Sequence, residues 1–104
     1  MAKQTRLRIK TTGSRTEVLV LVKHPMESGL RQDHETSQRI PADYIERMTF
    51  ALNGAVVAEA RLGTGVAPDP LTGIVLNEIG SGDRITVKWN DSQGKSGMAE
   101  KLIR

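Results

Sequence analysis

Turn-forming residues divide this 104-residue chain into short apolar segments, and this division limits the folds that it can adopt. The segments alternate apolar with polar side chains, as in residues 84–89, where Ile85, Val87 and Trp89 would share one face. Asn53-Gly54 is the strongest hairpin signal, because both residues tolerate a positive φ angle. The pattern predicts about seven strands, over residues 5–10, 17–24, 47–52, 56–62, 71–78, 84–89 and 95–103.

Seven short strands separated by turns predict an all-β fold, an immunoglobulin-like antiparallel β-sandwich. Residues 1–104 are expected to form a single domain, since domains usually have roughly 100–150 residues. The chain has no cysteine, which excludes a disulfide scaffold, a thiol catalyst and a cysteine-based zinc site. Trp89 alone would then anchor the core. A single helical turn is predicted around residues 40–45, with Pro41 near its start.

Two registers are open for the hairpin around Asn53-Gly54. A strict two-residue turn would pair Phe50 with Val57 and place Glu59 on the same face as Phe50. A longer loop would instead turn an apolar set inward, since a slip of one residue exchanges the two faces. That set is Val56, Ala58, Ala60 and Leu62, and its apolar character favours the longer loop.

Residues 18–22 are apolar on both faces of their predicted strand. Three valines share one face, and Leu19 and Leu21 share the other, which in a sandwich would normally meet water. Either the chain's own loop of residues 26–44 covers the leucines or another protein does, because exposed apolar patches usually mark interfaces. Burying both leucines would contribute roughly 3–6 kcal/mol.

Catalytic and metal-binding motifs are weak in this sequence. His24 and His34 are the only histidines, and their spacing matches no ligand motif. We expect His24 to end a strand and hydrogen-bond the following loop, and His34 to lie in solvent. Gly94-Lys95-Ser96 lacks the earlier glycine of a phosphate-binding loop, and no serine lies in a nucleophile-elbow context. Neither an enzyme, a metal site nor a cofactor is predicted.

The net charge of +3 and a sequence pI near 9.6 raise the question of a nucleic-acid partner. The basic residues are spread along the chain, and only one run lacks acidic residues: Lys3, Arg6, Arg8 and Lys10. A single-strand binding platform needs several aromatic side chains on one face, and the chain has only Tyr44, Phe50 and Trp89. Neither nucleic acid nor a membrane is an expected partner, because no apolar segment approaches the roughly 20 residues of a membrane span.

One longer motif resembles a known family. The segment His24-Pro25-Met26-Glu27-Ser28-Gly29-Leu30-Arg31-Gln32-Asp33, followed by Ile40-Pro41, is similar to the signature of the SoxZ family. The resemblance continues through the Asn53-Gly54 hairpin, the Ala67-Pro68-Asp69-Pro70 loop and the turn that follows Trp89. It therefore covers nearly the whole chain.

The resemblance implies a non-catalytic subunit of the SoxYZ sulfur-carrier heterodimer of bacterial thiosulfate oxidation. The partner would be SoxY, whose C-terminal Gly-Gly-Cys-Gly-Gly arm carries the sulfur adduct, with transient contacts to other sulfur-oxidation enzymes. The location would be the periplasm, reached by export attached to SoxY, since no signal peptide is visible in this chain. An isolated subunit with an uncovered apolar strand would also be able to form a homodimer. An immunoglobulin-like accessory or small-ligand-binding domain that uses its long loops is the alternative.

The candidate partner-contact residues are Leu19, Leu21, His24, Pro25, Met26, Gly29, Arg31 and Asp33. A competing interpretation makes the segment from His24 to Asp33 purely structural. In that case Pro25 ends the strand, Gly29 takes a positive φ angle, and Arg31 pairs with Asp33 or a carbonyl group. Lys23, Arg31 and Arg39 are further candidates, as basic residues that attract an anionic adduct and acidic partners.

Overall fold

The chain forms two antiparallel β-sheets in a computed structural model that describes residues 5–104. The three-stranded sheet has the order β1-β2-β5 and consists of β1 (Thr5–Thr12), β2 (Arg15–Val22) and β5 (Leu71–Asn77). The four-stranded sheet has the order β4-β3-β6-β7 and consists of β3 (Ile45–Leu52), β4 (Ala55–Arg61), β6 (Arg84–Asp91) and β7 (Ser96–Leu102). The predicted all-β sandwich of seven strands is confirmed.

The core lies between the two sheets and follows the alternation of the central strands. Alternate side chains along most of β2, β3 and β6 are buried, including Val18, Val20, Val22, Met48, Phe50, Ile85, Val87 and Trp89. The Trp89 indole packs against Gly97, where an added Cβ would lie 2.5 Å from the ring nitrogen. Its Nε1 donates a hydrogen bond of 2.9 Å to Thr5 Oγ1. Trp89 therefore joins β6 to both β7 and β1, which confirms its predicted role as a core anchor.

The β3–β4 hairpin combines a tight turn with a bulge. Asn53 and Gly54 have φ angles of 52° and 90°, and Leu52 pairs directly with Ala55, so the longer loop that we predicted is wrong. The register then shifts, because Phe50 pairs with Ala58 and leaves Val57 as an extra residue. This bulge turns Ala58 and Ala60 towards the core, whereas Val56 stays 64% exposed.

Residues 23–44, between β2 and β3, fold back on themselves without forming a helix. Glu27 and Asp43 exchange backbone hydrogen bonds of 2.7 and 3.0 Å, and Ile40 donates one of 2.8 Å to the Arg31 carbonyl. The helical turn predicted around residues 40–45 is therefore wrong, because extended pairing satisfies the backbone groups that a helix would have used. In residues 5–104, no helix is long and apolar enough to cross a membrane.

Candidate partner-binding site

His24 is the buried centre of the site. Its side chain lies edge-on to Trp89, with ring centroids 5.6 Å apart and an interplanar angle of 87°. The Met26 N–H donates to its Nδ1 at 3.1 Å, so the ring proton is on Nε2. Nε2 donates to Asp91 Oδ2 at 2.9 Å and lies 3.3 Å from Asp43 Oδ1. His24 therefore hydrogen-bonds the loop that follows it, and His34 is exposed, both as expected. The imidazole also attaches this loop to the end of β6, a contact that the sequence did not predict.

Asp91 closes the turn between β6 and β7 while it holds His24. Its Oδ1 accepts hydrogen bonds from the backbone N–H groups of Gln93 and Lys95, at 3.0 and 2.8 Å. Burial is the largest single effect on the Asp91 carboxyl and acts to raise its pKa. Hydrogen bonds from His24 and from the two backbone groups, with the charge of Lys95, together outweigh burial, so the pKa is lowered.

The ligand atoms of His24, Asp43 and Asp91 lie within 4.8 Å of one another, close enough to hold a metal ion. A cation from the chain itself already lies beside these carboxylates, since Lys95 Nζ is 3.1 Å from Asp43 Oδ2 and 3.8 Å from Asp91 Oδ2. The proton on His24 Nε2 also points at Asp91, where a metal would need the free nitrogen lone pair. The geometry therefore favours a hydrogen-bonded ion cluster over a metal centre.

Met26 and Gly29 give the loop after His24 its shape. Met26 is buried, and its Sδ accepts a hydrogen bond from the Ile45 N–H at 3.3 Å. Gly29 has a φ angle of 85°, as predicted, and an added Cβ would lie 3.1 Å from the Ala42 Cβ. The side chains of His24 and Met26 thus face the protein interior. They fix the backbone conformation of the loop, and the loop in turn positions the exposed side chains.

The exposed side of the loop presents Pro25, Leu30 and Arg31. The Arg31 guanidinium pairs with Glu27, and its Nε donates to Glu27 Oε1 at 2.9 Å. This ion pair lowers the pKa of Glu27 and raises that of Arg31. The competing interpretation paired Arg31 with Asp33 or a carbonyl group; this pairing is wrong, because the folded loop places the Glu27 carboxylate, four positions earlier, against the guanidinium.

Asp33 and Lys23 lie at opposite ends of the segment 23–33. Asp33 Oδ1 accepts hydrogen bonds from the backbone N–H groups of Glu35 and Thr36, at 2.8 and 3.2 Å, and so stabilises the tip of the loop. Lys23 Nζ lies 3.8 Å from Asp69 Oδ2. Acidic neighbours therefore offset part of the charge of Lys23 and Arg31, which weakens any long-range field from them.

Leu19 and Leu21 lie half-buried on the outer face of the three-stranded sheet. On this face Leu21 has Arg6 and Leu71 as its neighbours, and Leu19 has Arg8 and Gly73. Leu19 Cδ2 extends over Gly73, where an added Cβ would lie only 2.8 Å from it. We call this surface the outer leucine patch, formed by Leu19, Leu21, Leu71 and Val75 and bordered by Arg6, Arg8 and Lys10.

The patch includes a hollow of about 290 Å³, and the residues around it come from β1, β2 and β5. No residue of the loop 26–44 borders this hollow. The structure therefore does not support the alternative in which this loop covers Leu19 and Leu21. Arg6 and Arg8 of β1 border the hollow beside the two leucines, and the stems of long basic side chains can pack on apolar surface. Lys3, from the same basic run, lies outside the described residues.

Sequence reasoning missed the residues that surround His24. Asp91 is 67 positions away, and Asp43 and Lys95 were not among the candidate residues. Asp91 did carry a local signal as the first residue of a turn, but nothing local connects that turn to His24. Only the packing of the two sheets brings these side chains together.

The family model described as "Sulphur oxidation protein SoxZ" matches residues 5–101, nearly the whole chain. The match includes the His24 cluster, the loop that follows it and the outer leucine patch. No curated protein sequence matches this chain.

Proposed function

Because the chain belongs to the SoxZ family of sulphur oxidation proteins, we propose that it is the non-catalytic subunit of a SoxYZ sulfur-carrier heterodimer. In this proposal it binds SoxY, whose C-terminal cysteine carries the sulfur adduct during thiosulfate oxidation. The pair works in the periplasm and meets the other sulfur-oxidation enzymes transiently. The observation that carries the proposal is the family match over residues 5–101.

The absence of cysteine supports a division of labour between two chains. A covalent sulfur carrier needs a thiolate, so the reactive sulfur has to reside on the partner. A sulfur-loaded cysteine is exposed to thiol–disulfide exchange, and a neighbour with its own thiol would divert the adduct. A cysteine-free subunit can stay beside that group without reacting with it.

The proposed contact surface combines the outer leucine patch with the exposed side of residues 24–33. The loop leaves the sheet directly after Val22, close to Leu21, and the His24 N–H donates to Asp69 Oδ1 at 2.9 Å beside Leu71. Pro25, Arg31 and Asp33 would touch the partner, and His24, Met26 and Gly29 would hold their backbone in place. An apolar centre with a polar border is the usual composition of a protein interface.

The function is tested by purifying the full chain from its native host and identifying what accompanies it by mass spectrometry. We expect a complex with a protein that ends in Gly-Gly-Cys-Gly-Gly, and no turnover of a sulfur substrate by this chain alone. Turnover by the isolated chain, or the lack of any cysteine-tailed companion, would contradict the proposal.

The contact surface is tested separately with Leu19→Ser and Leu21→Ser in one chain. Both leucines are already half-buried, so binding would bury the remaining half of each side chain, roughly 1.5–3 kcal/mol in all, and its loss corresponds to at least about 10-fold weaker binding to the carrier subunit. The control is Val56→Ser on β4, a residue that is 64% exposed on the other sheet. Equal affinity of both variants would place the interface elsewhere and leave the heterodimer itself untouched.

Electrostatic attraction by Lys23, Arg31 and Arg39 is tested by changing all three to glutamine. If these residues attract anionic groups, the rate of sulfur loading at low salt falls and its dependence on salt becomes flatter. An unchanged salt dependence would show that they are ordinary solvated charges.

A further inference from the structure

One sheet edge lacks the features that usually prevent strands from pairing between molecules. Edge strands expose unpaired N–H and C=O groups, and proteins protect them with charges, prolines or bulges. Within residues 5–104, β1, β4 and β7 all carry charged residues, and β4 also contains the bulge at Val57. The sequence of β5 is LTGIVLN, with no charge, no proline and no register shift against β2. β5 is therefore the unprotected edge.

The hydrogen-bond pattern shows which backbone groups of β5 are free. The Val22 N–H donates to the Pro70 carbonyl at 3.2 Å, and the Glu78 N–H donates to the Ser14 carbonyl at 2.9 Å. These two pairs mark both ends of the β2–β5 ladder. Bonded and non-bonded pairs alternate along an antiparallel ladder, so the backbone groups of Leu71, Gly73 and Val75 point away from β2.

The sequence of β5 is complementary to itself about Gly73. An antiparallel pair centred there places Gly73 opposite Gly73 of the second strand, and Leu71 opposite Val75. Both side chains are on the outer face, where Leu71 is 67% and Val75 45% exposed. On the inner face Thr72 would meet Ile74. The Gly73–Gly73 pair and both Leu71–Val75 pairs would each exchange two backbone hydrogen bonds. Apolar cross-strand pairs contribute roughly 0.2–1 kcal/mol more each.

We propose that β5 pairs antiparallel with β5 of a second copy of this chain, about a two-fold axis at Gly73. The two three-stranded sheets then form one continuous sheet, and the two outer leucine patches become neighbours. The absence of charge on β5 means that identical strands approach without repulsion. The loop of residues 24–33 and the outer face stay open, so self-pairing goes beyond the proposed function and is compatible with it.

The test is sedimentation of the purified full chain over a wide concentration range. Val75→Pro removes a donor from the free edge only, because the Val75 N–H points away from β2. Val75→Lys is a second variant with an intact backbone, and Val57→Lys is the matched control, since Val57 is also 45% exposed but lies on β4. We expect a monomer–dimer equilibrium that both Val75 variants weaken at least tenfold and Val57→Lys leaves unchanged.

The register is tested by disulfide formation, since an introduced cysteine is the only thiol in the chain. A mixture of Leu71→Cys and Val75→Cys chains is expected to form more cross-linked dimer than either chain alone, and more than Val57→Cys. The proposal is overturned if the chain is monomeric throughout, if Val57→Lys weakens association as much as Val75→Lys, or if the mixture shows no preference. Cross-linking of Val75→Cys only to a different protein would assign the edge to another occupant and equally overturn self-pairing.

Discussion

Replacing His24 with alanine is expected to destabilise the protein strongly, although the residue lies beside an exposed loop. The change removes the donor to Asp91 Oδ2, the acceptor of the Met26 N–H and the edge-on contact with Trp89. The Asp91 carboxylate is completely buried and would keep only Lys95 and its backbone partners. The substitution therefore removes one hydrogen bond from a buried carboxylate and leaves the Met26 N–H without its acceptor.

The magnitude follows from these losses. A hydrogen bond from the neutral imidazole to the charged Asp91 carboxylate contributes about 1.5–3 kcal/mol. The orphaned Met26 N–H would cost about 1–3 kcal/mol and the lost aromatic contact about 0.5–1.5 kcal/mol. Water can enter the space left by the imidazole ring and hydrogen-bond several of the groups that lose a partner. We therefore expect the free energy of unfolding to fall by about 3–5 kcal/mol in total. Small domains usually have only about 5–15 kcal/mol of stability.

The measurement is urea unfolding of the purified chain, followed by tryptophan fluorescence. With a slope of about 1–3 kcal/mol per M, the midpoint should fall by at least about 1 M. His34→Ala is the matched control, since His34 is exposed and its loss should change stability by less than about 0.5 kcal/mol. In a double-mutant cycle, Asp91→Asn should reduce the cost of His24→Ala, because the two residues share one hydrogen bond.

The reasoning is refuted if His24→Ala costs less than about 1 kcal/mol. It is also refuted if the costs of His24→Ala and Asp91→Asn simply add. Either result would mean that the cluster around His24 does not hold the loop to the end of β6.

The remaining predictions concern the same loop and its anchors. The pKa of Asp91 in the folded protein lies below its ordinary value of 3.8, so the ionised carboxylate stabilises the fold above that pH, and this stabilisation is lost as the pH falls through the lowered pKa. In Asp91→Asn, the free energy of unfolding should therefore fall less steeply below about pH 4. Gly29→Ala should cost about 1–2 kcal/mol in thermal unfolding because of its positive φ angle and the close Ala42 Cβ, whereas Gly65→Ala, with open space around it, should be nearly neutral. Arg31→Ala should change the free energy of unfolding by less than about 1 kcal/mol, since the Arg31 side chain is exposed. Calorimetric titration of this variant with the carrier subunit should show weaker binding. A large drop in melting temperature with unchanged affinity would instead assign Arg31 a purely structural role.

The strands could be predicted from the sequence because side-chain alternation is a local property. In β6 the order of Ile85, Val87 and Trp89 fixes which face is buried, whatever the rest of the chain does. The Asn53-Gly54 turn is equally local, since it depends on two residues that tolerate a positive φ angle. The family resemblance was visible for the same reason, because it depends on a contiguous motif.

The bulge at Val57 could not be predicted, because its cause lies outside the hairpin. The turn alone would have placed Glu59 on the core face, and burying that unpaired charge against the other sheet would be costly. One extra residue in β4 instead turns Ala58 and Ala60 to the core and leaves Glu59 to pair with Arg47. Register is therefore set by what the facing sheet accepts.

By itself, the sequence determined the strands, the principal turns, the tryptophan anchor and the lack of a thiol, since each of these depends on neighbouring residues or on composition. The tertiary structure decided that His24 is buried between Asp43 and Asp91, and that Leu19 lies opposite Arg8 on the outer face of the sheet. It also decided that β5, which carries no charged residue, lies at an edge rather than in the middle of its sheet. The physical reason is that strand order and ion clusters depend on contacts between distant parts of the chain, which no local pattern encodes.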